Sequence, residues 1–166
     1  MSPTVEELAD RLAVSDVVTA YFQAMDRHDW DAVRGLIAKE MLLSAGSLAS
    51  PPARQSRDAF MEELIVRNGP YALEGCGSFH GNPSHLVSVS GDRATVTAHM
   101  IGAHWVGPTD ADLSMGYGIY ELDVIREDGT WKLSGLSMEI RRVIGAEPGE
   151  IMRRAAEMRT EPEVAK

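Results

Sequence analysis

The feature that most constrains the fold is a series of long β-rich segments in the second half of the chain. Gly91-Asp92 and Glu127-Asp128-Gly129 have the composition of tight hairpin turns, and β-branched and apolar residues alternate with polar ones on both sides of each. The pattern predicts a meander of long strands, at residues 84–90, 92–106, 114–126 and 130–143.

The first part of the chain has helical signals instead. Thr4 and Glu7 have the spacing of a capping box, and the helix that follows is expected to run to about Arg27. Its apolar stripe is formed by Leu8, Leu12, Val18, Phe22 and Met25. Asp29 is a candidate cap for a short second helix. The apolar residues of that helix are Trp30, Val33, Leu36 and Ile37.

The remaining segments complete an α+β pattern. Ser56 is a candidate cap for a third helix over residues 57–67. We expect a strand at residues 41–45, a loop at residues 47–55 and a terminal helix at residues 151–158. Helices that precede strands indicate a curved antiparallel or mixed sheet, a half-barrel wrapped around the amino-terminal helices. Such a sheet leaves an internal pocket that can hold one small molecule.

Length and charge exclude several classes of protein. The 166 residues fit a single domain that spans 1–166, without an interdomain linker. The net charge of −9 argues against a nucleic-acid or anionic-membrane partner, because both need clustered lysine and arginine. There is neither a signal-peptide pattern nor a run of about 20 apolar residues, so we expect a cytoplasmic protein.

The sequence has no signature of a metal or cofactor site. The single cysteine, Cys76, cannot form an intramolecular disulfide, and its neighbours Gly75 and Gly77 indicate a turn residue rather than a nucleophile. Gly116-Tyr117-Gly118 falls inside a predicted strand, which argues against a dinucleotide fingerprint, and no phosphate loop or two-histidine metal motif occurs. We therefore expect no metal and no cofactor.

Asp26, His80 and His104 form a candidate acid–base site, although they are far apart in the sequence. Asp26 ends the first helix at the edge of its apolar stripe, where burial and the helix dipole would raise its carboxyl pKa. His104 shares one strand face with Val96, Ala98, Met100 and Gly102, whereas His99 lies on the other face. Structural roles stay open for all three: a solvated acid, a loop histidine and a core histidine, respectively.

Other polar residues compete for the same pocket. His85 has the opposite strand parity to His80, so only one of the two should face inward. His28 lies between charged residues and is expected at the surface. A hydroxyl for the pocket could come from Tyr21, Tyr117 or Tyr120, although aromatic residues at core spacing also serve as packing.

Three stretches carry a family resemblance that covers nearly the whole chain. They are Met25-Asp26-Arg27-His28-Asp29-Trp30-Asp31, the Gly91-Asp92 hairpin and Asp128-Gly129-Thr130-Trp131-Lys132. With them the chain resembles the SnoaL-like group of the nuclear transport factor two-like superfamily, and within it the scytalone dehydratases. The resemblance implies a cone-shaped α+β barrel with an internal pocket.

The resemblance also implies roles for single residues. In the scytalone dehydratases an aspartate at the end of the first helix orients a pocket histidine, and a second histidine comes from the neighbouring strand. Spacing from the Gly91-Asp92 turn matches these residues to Asp26, His80 and His104, and it selects His80 over His85.

The chain departs from the dehydratases at the group that polarises the substrate carbonyl. The dehydratases use two tyrosines to hold a water on that carbonyl, and the matching residues here are Met25 and Ala45. A serine and an asparagine that help to bind their substrate correspond to Gly118 and Tyr120. The acid–base group is thus retained, while the polarising group would have to come from elsewhere, for example from Tyr120 or Tyr21.

The resemblance implies a cofactor-independent dehydratase, a carbon–oxygen lyase acting on a small hydrophobic cyclic hydroxyketone or polyketide-type substrate. A polyketide cyclase or isomerase with the same pocket is the first alternative, and a non-catalytic ligand-binding or assembly module is the second. Geometry distinguishes these hypotheses. The two enzyme hypotheses are favoured over the non-catalytic module if the Asp26 carboxylate lies within hydrogen-bond range of an imidazole and both imidazoles face one cavity.

The expected partner is a small hydrophobic or aromatic substrate. Its binding residues are predicted to be Tyr21, Phe22, Met25, Tyr120, Met100 and Met138, with Leu43, Phe60 and Met115 as further apolar lining. The resemblance implies a homo-oligomer, either a trimer or a dimer. It also implies that the tail at residues 147–166 closes over the pocket as a lid, with Ile144, Ile151 and Met152 as its apolar contacts.

Overall fold

Four α-helices pack against one curved, mixed sheet of seven strands in the computed structural model, which describes residues 3–45 and 53–160. The helices are α1 (Val5–Asp26), α2 (Trp30–Leu36), α3 (Arg57–Asn68) and α4 (Pro148–Thr160). The strands are β1 (Ile37–Ala45), β2 (Ala53–Ser56), β3 (Gly77–Gly81), β4 (Leu86–Ser90), β5 (Arg93–Trp105), β6 (Leu113–Glu127) and β7 (Thr130–Gly145). None of the described helices is long and apolar enough to cross a membrane.

The sheet is an open half-barrel, which confirms the predicted α+β fold. Its strand order is β2-β1-β7-β6-β5-β3, with β4 paired to the first half of β5, and only the β1–β7 pair is parallel. Irregular register between β6 and β7, after Tyr117 and again after Asp123, bends the sheet. At the first bend a Cβ on Gly118 would lie 1.8 Å from the Glu139 carbonyl oxygen, so glycine permits this close approach.

Helix α1 begins with the predicted capping box, and its buried face contains three of the five predicted stripe residues, Val18, Phe22 and Met25. The Thr4 backbone N–H donates to Glu7 Oε2 at 2.6 Å, and the Glu7 N–H donates to Thr4 Oγ1 at 3.1 Å. Leu8 and Leu12 are exposed, because they lie about 120° and 160° around the helix from Val14, at ~100° per residue. The buried residues of α1 are Val14, Val18, Tyr21, Phe22, Ala24 and Met25.

The region after α2 contains more strand than predicted. Strand β1 begins at Ile37, which had been expected to end a helix, and not at Met41. Residues 53–55, predicted as part of a loop, belong to β2, a short edge strand antiparallel to β1. Its residues are mostly exposed and have no apolar alternation, so the sequence gives no strand signal there. The rest of that predicted loop, residues 47–52, lies outside the described residues.

The Asp-Gly-Thr-Trp-Lys stretch joins the sheet to α1. Asp128 and Gly129 both have positive φ, 52° and 79°, as a tight hairpin turn between β6 and β7 requires. The Arg126 guanidinium lies 4.3 Å from the centroid of the Trp131 ring, and both side chains donate hydrogen bonds to Asp10 Oδ1 on α1. These contacts give the stretch a structural role in fixing α1 across the sheet.

Candidate active site

An apolar cavity of about 220 Å³ lies between the concave face of the sheet, α1, α3 and the start of α4. All six predicted binding residues line it: Tyr21, Phe22, Met25, Met100, Tyr120 and Met138. Leu43 and Phe60 line it as well, but Met115 does not, because it points to the other face of β6, where its Sδ accepts a hydrogen bond from Tyr117. The volume is below the roughly 300–1,000 Å³ of drug-sized sites, which indicates a small ligand.

Asp26 and His80 form a hydrogen-bonded pair on the wall of this cavity. Asp26 Oδ1 lies 2.6 Å from His80 Nδ1, and Asp26 Oδ2 accepts the His80 backbone N–H at 2.8 Å. Ser78 Oγ donates to Oδ1 at 3.1 Å. The carboxylate thus fixes both the ring and the backbone of His80. With the Nδ1 proton directed at Asp26, the Nε2 lone pair is left for chemistry.

The pKa of Asp26 moves in the direction opposite to the prediction. Partial burial raises this pKa, as expected. Hydrogen bonds from the His80 ring and backbone and from Ser78, together with the charge of His80, lower the pKa by more than burial raises it. The net pKa of the carboxyl is below its usual value. Asp26 is therefore an ionised partner that supports His80 rather than a base in its own right.

The β3–β5 register places the two histidines side by side. His80 lies in β3, not in a loop before a strand as predicted, and it pairs with Gly102, while Ser78 pairs with His104. Side chains of one strand face interact diagonally with those of the neighbouring strand. The two imidazole centroids are consequently 5.1 Å apart with ring planes at 76°, and both rings border the cavity.

His104 has a different environment from His80. The ring of Tyr71 lies 4.7 Å away between centroids, and no group in the described ranges forms a hydrogen bond to the imidazole of His104. Burial, and secondarily the charge of His80, lower its pKa to about 3, against a smaller opposite effect of Asp26. His104 is therefore neutral throughout the physiological pH range.

The SnoaL-like domain family matches residues 6–137, well over half of the sequence. The chain belongs to the SnoaL-like domain family. No curated protein matches it in sequence.

Several solved structures share this fold, and the similarity covers most of this SnoaL-like chain. Kfla4162 from Kribbella flavida superposes with a TM-score of 0.76 at 21% identity, over 88% of this chain and 98% of that protein. A protein assigned as a scytalone dehydratase from Novosphingobium aromaticivorans has a TM-score of 0.70 at 20% identity, over 84% and 89%. The hexachlorocyclohexane dehydrochlorinase LinA-type3 from Novosphingobium barchaimii has 0.68 at 14% identity, over 87% and 98%. At these identities the likeness shows the fold alone.

The other histidines of this SnoaL-like protein lie outside the cavity lining. His85 Nδ1 lies 2.7 Å from Ser15 Oγ, away from the cavity, and His99 is exposed on the outer face of β5, both as predicted. His28 is partly buried against Trp30, which corrects its predicted surface position, and burial lowers its pKa. No group of three or more His, Cys, Asp or Glu residues within the described ranges is arranged to hold a metal ion.

Tyr71 was missed by the sequence interpretation, which considered only the other three tyrosines. It lies in a short 3-10 helix (Gly69–Ala72) after α3, is 2% exposed and lines the cavity. Its buried hydroxyl has no hydrogen-bond partner among the described residues. An unpaired buried hydroxyl costs roughly 1–3 kcal/mol, so its placement needs a functional or structural reason.

Ser114 and Asn68 are further polar residues of the cavity that the sequence interpretation missed. Both are buried and line it, and Asn68 Nδ2 donates to the Leu64 carbonyl at 3.0 Å. Ser114 shares strand parity with Gly116 and Tyr120 on β6, so strand alternation could have identified it.

The tail folds towards the cavity, but only some of the predicted contacts form. Pro148 and Met152 line the cavity, and Ile151 is fully buried in a cluster with Tyr71. Ile144 is exposed and belongs to β7, so its predicted contact with the pocket is wrong. The tail at the start of α4 thus reaches the end of the cavity that contains Tyr71 and His104.

Proposed function

We propose that this SnoaL-like protein is a lyase that removes water from a small cyclic hydroxyketone by acid–base chemistry. One observation carries the proposal: the 2.6 Å contact between Asp26 Oδ1 and His80 Nδ1 on the wall of an apolar cavity. Side chains of the chain itself supply both proton transfers, so the reaction uses no cofactor.

The first step is removal of a proton from the carbon next to the carbonyl. Asp26 keeps the proton of the His80 ring on Nδ1, so that Nε2 accepts the proton from carbon. The electrons of that C–H bond move towards the carbonyl, whose oxygen becomes negatively charged. The nearby carboxylate then stabilises the imidazolium that has formed.

The second step expels the hydroxyl group. The Nε2–H of His80 donates its proton to the departing oxygen, the C–O bond breaks, and the electrons of the enolate form the new C=C bond as the carbonyl is restored. Water is the only other product. Because one imidazole serves as base and then as acid, the proton and the hydroxyl leave from the same face of the substrate.

The residues of the cavity wall favour a flat, apolar substrate. Phe22 packs in a stack with the His80 ring at 5.9 Å and lies 4.6 Å from the Tyr120 ring, which leaves aromatic surfaces beside the base. Met25, Met100 and Met138 line the cavity and adapt to several shapes. A small cyclic molecule with few polar groups fits this lining, in agreement with the cavity volume of about 220 Å³.

An isomerase or cyclase is the second candidate. Met25, at the position of a dehydratase tyrosine, is an apolar residue of the lining, so the dehydratase's way of polarising the carbonyl is missing. A base and an apolar cavity also suffice to move a double bond or close a ring. The hexachlorocyclohexane dehydrochlorinase with this fold suggests chloride as another leaving group for the same base.

The test is turnover of a panel of small cyclic β-hydroxyketones by wild type, His80→Gln and His99→Gln. Loss of acid–base catalysis should lower the rate of His80→Gln by about 10²–10⁴-fold. The control His99→Gln removes an exposed imidazole from the outer face of β5 and should match wild type. Mass spectrometry distinguishes loss of water from isomerisation. A folded His80→Gln variant with the wild-type rate would refute the proposal.

A further inference from the structure

Among the residues that line the cavity, two polar neighbours take no part in the proton transfers: Tyr71, with its hydroxyl, and His104, with its imidazole. From their position we infer that these two groups are the hydrogen-bond donors to the substrate's carbonyl oxygen, in the role that Met25 and Ala45 cannot perform. The inference deepens the proposed function and rests on it. It assigns the site to substrates with a carbonyl, or another oxygen that acquires negative charge.

The Tyr71 hydroxyl has the properties of a donor that awaits a ligand. Its side chain lines the cavity and is almost completely buried, and the hydroxyl forms no hydrogen bond within the described ranges. Burial, with a smaller effect of Cys76, raises the pKa of Tyr71 to about 12, so the hydroxyl keeps its proton. A ligand oxygen would satisfy it.

His104 is suited to donate a hydrogen bond without transferring its proton. Its ring lies 4.7 Å from that of Tyr71, it borders the cavity, and it is neutral. A neutral imidazole donates through one ring nitrogen, and it polarises a carbonyl as a donor when its pKa is strongly lowered. The surrounding apolar wall strengthens such a hydrogen bond, because the local dielectric is low.

The two donors lie beside the base, as the reaction requires. The imidazole centroids of His80 and His104 are 5.1 Å apart. A substrate whose acidic carbon meets His80 therefore has its adjacent carbonyl oxygen within the part of the cavity that His104 and Tyr71 border. When the C–H bond breaks, charge develops on that oxygen, and two preorganised donors stabilise it more than they stabilise the neutral carbonyl.

The fold keeps Tyr71 in place through the tail. Tyr71 packs with Val106 of the segment after β5 and with Ile151 and Ala155 of α4 in a cluster separate from the main core. The predicted lid thus has a second role as the support of a donor. The other ionisable groups on the cavity wall are Tyr21, Glu63, Arg67, His80 and Tyr120, with Asp26 behind His80.

The first experiment compares turnover of the most active hydroxyketone by Tyr71→Phe and Tyr117→Phe. Tyr71→Phe keeps the ring against His104 and removes only the hydroxyl, so kcat should fall on the order of 10²-fold with little change in KM. Tyr117→Phe removes a hydroxyl on the outer face of β6 and should equal wild type. Unchanged kcat in a folded Tyr71→Phe variant overturns the inference.

A pair of variants separates donation by His104 from proton transfer. His104→Gln keeps a neutral N–H donor and should retain a substantial part of kcat, whereas His104→Leu should lose it. If His104 transferred a proton, both variants would be equally inactive, and the inference would be wrong for His104.

The second experiment requires no turnover. 4-Nitrophenol ionises to an oxyanion whose absorption differs from that of the phenol, so titration of the bound probe reports how well the cavity stabilises negative oxygen. Wild type and Tyr117→Phe should bind the probe as its phenolate at a lower pH than Tyr71→Phe does. His80 can receive the probe's proton in all three proteins, so the difference isolates the Tyr71 hydroxyl. Identical titrations in wild type and Tyr71→Phe overturn the inference.

The two experiments distinguish this inference from the proposed function. If wild type turns over no hydroxyketone but ionises 4-nitrophenol through Tyr71, the proposed dehydration fails and the donor pair stands as an oxyanion site. If wild type turns over a hydroxyketone and Tyr71→Phe changes neither kcat nor the titration, the donor pair fails and the His80 mechanism stands.

Discussion

The two histidines of the cavity have the same side chain but different environments. His80 and His104 lie on neighbouring strands with ring centroids 5.1 Å apart. His80 Nδ1 lies 2.6 Å from a carboxylate oxygen of Asp26, whereas His104 has aromatic neighbours and no hydrogen-bonded carboxylate among the described residues. In the proposed mechanism the first ring accepts a proton and the second remains neutral.

Acid–base sites commonly separate their functions by driving the pKa values of two like groups apart. Here Asp26 holds the Nδ1 side of the His80 ring, and burial lowers the pKa of His104 to about 3. If both rings had the same environment, neither would be assigned to one step of the reaction. The comparison therefore predicts different consequences for changes made in two parts of the cavity. The part next to Asp26 and His80 is called the His80 end, and the part next to His104 and Tyr71 is called the His104 end.

The largest effect is expected from Asp26→Asn, which disrupts the His80 end. An asparagine amide can donate to His80 Nδ1, which would leave the ring proton on Nε2, where no proton can then be accepted. We expect turnover of the hydroxyketone to fall on the order of 10³-fold while the protein remains folded. Steady-state kinetics and far-UV circular dichroism of the variant measure both.

The matched control is Asp31→Asn, an exposed carboxylate on α2 a few residues away. It should change neither the rate nor its pH dependence. Equal rates for wild type and Asp26→Asn would show that the carboxylate only holds β3 against α1, and that His80 works without it.

The sequence predicted which three residues meet at the cavity better than it predicted the pKa of Asp26. Asp26, His80 and His104 follow from helix position, strand parity and family spacing, all of which are local or pairwise. The predicted rise in the pKa of Asp26 was wrong, because burial and the helix dipole can be inferred from α1 alone, whereas Ser78 and the His80 backbone reach the carboxylate only in the folded chain.

Tyr71 and β2 could not be predicted for the same reason, because both depend on contacts that form only in the folded chain. Tyr71 follows the end of a helix in a short 3-10 turn, and its ring is placed by packing with Val106 and with α4, some 80 residues later. Strand β2 is a four-residue edge strand without alternation, defined by its pairing with β1. The long strands β5, β6 and β7 were predicted, because alternation over many residues identifies a half-buried sheet from sequence alone.

A smaller effect is expected at the His104 end, in the pH dependence of stability. The unfolded imidazole has an ordinary pKa of 6.5 and the buried one about 3, so between these values the unfolded state binds more protons. The free energy of unfolding therefore decreases as pH falls through this range, and His104 contributes roughly 2 kcal/mol to the loss between pH 7 and 5. His104→Gln should lose less stability over that interval.

Urea denaturation at pH 7 and pH 5 measures this difference. His99→Gln, on the same strand but exposed, is the control and should follow wild type. The partly buried His28 and His85 also have lowered pKa values, but they contribute equally to all three proteins. Parallel pH dependence in wild type and His104→Gln would mean that His104 is charged in the fold, and the contrast with His80 would disappear.

The smallest effect tests whether a ligand occupies the His104 end at all. Met152 lines the cavity from α4, next to Ile151, which packs with Tyr71. Met152→Ala removes apolar contact of about 1 kcal/mol, so the affinity for 2-naphthol should fall about fivefold. Deletion of residues 147–166 would also weaken binding, but it removes the fully buried Ile151 and Ala155, so the point variant reports on the lid more directly.

Met158→Ala is the control, because that residue lies six residues further along α4, is exposed and does not line the cavity. Calorimetric titration of 2-naphthol should give the wild-type Kd for it. Equal Kd values for wild type and Met152→Ala would place the ligand wholly against His80 and Phe22. In that case the tail would support Tyr71 without covering the ligand, and any effect of the tail on catalysis would have to act through kcat rather than through binding.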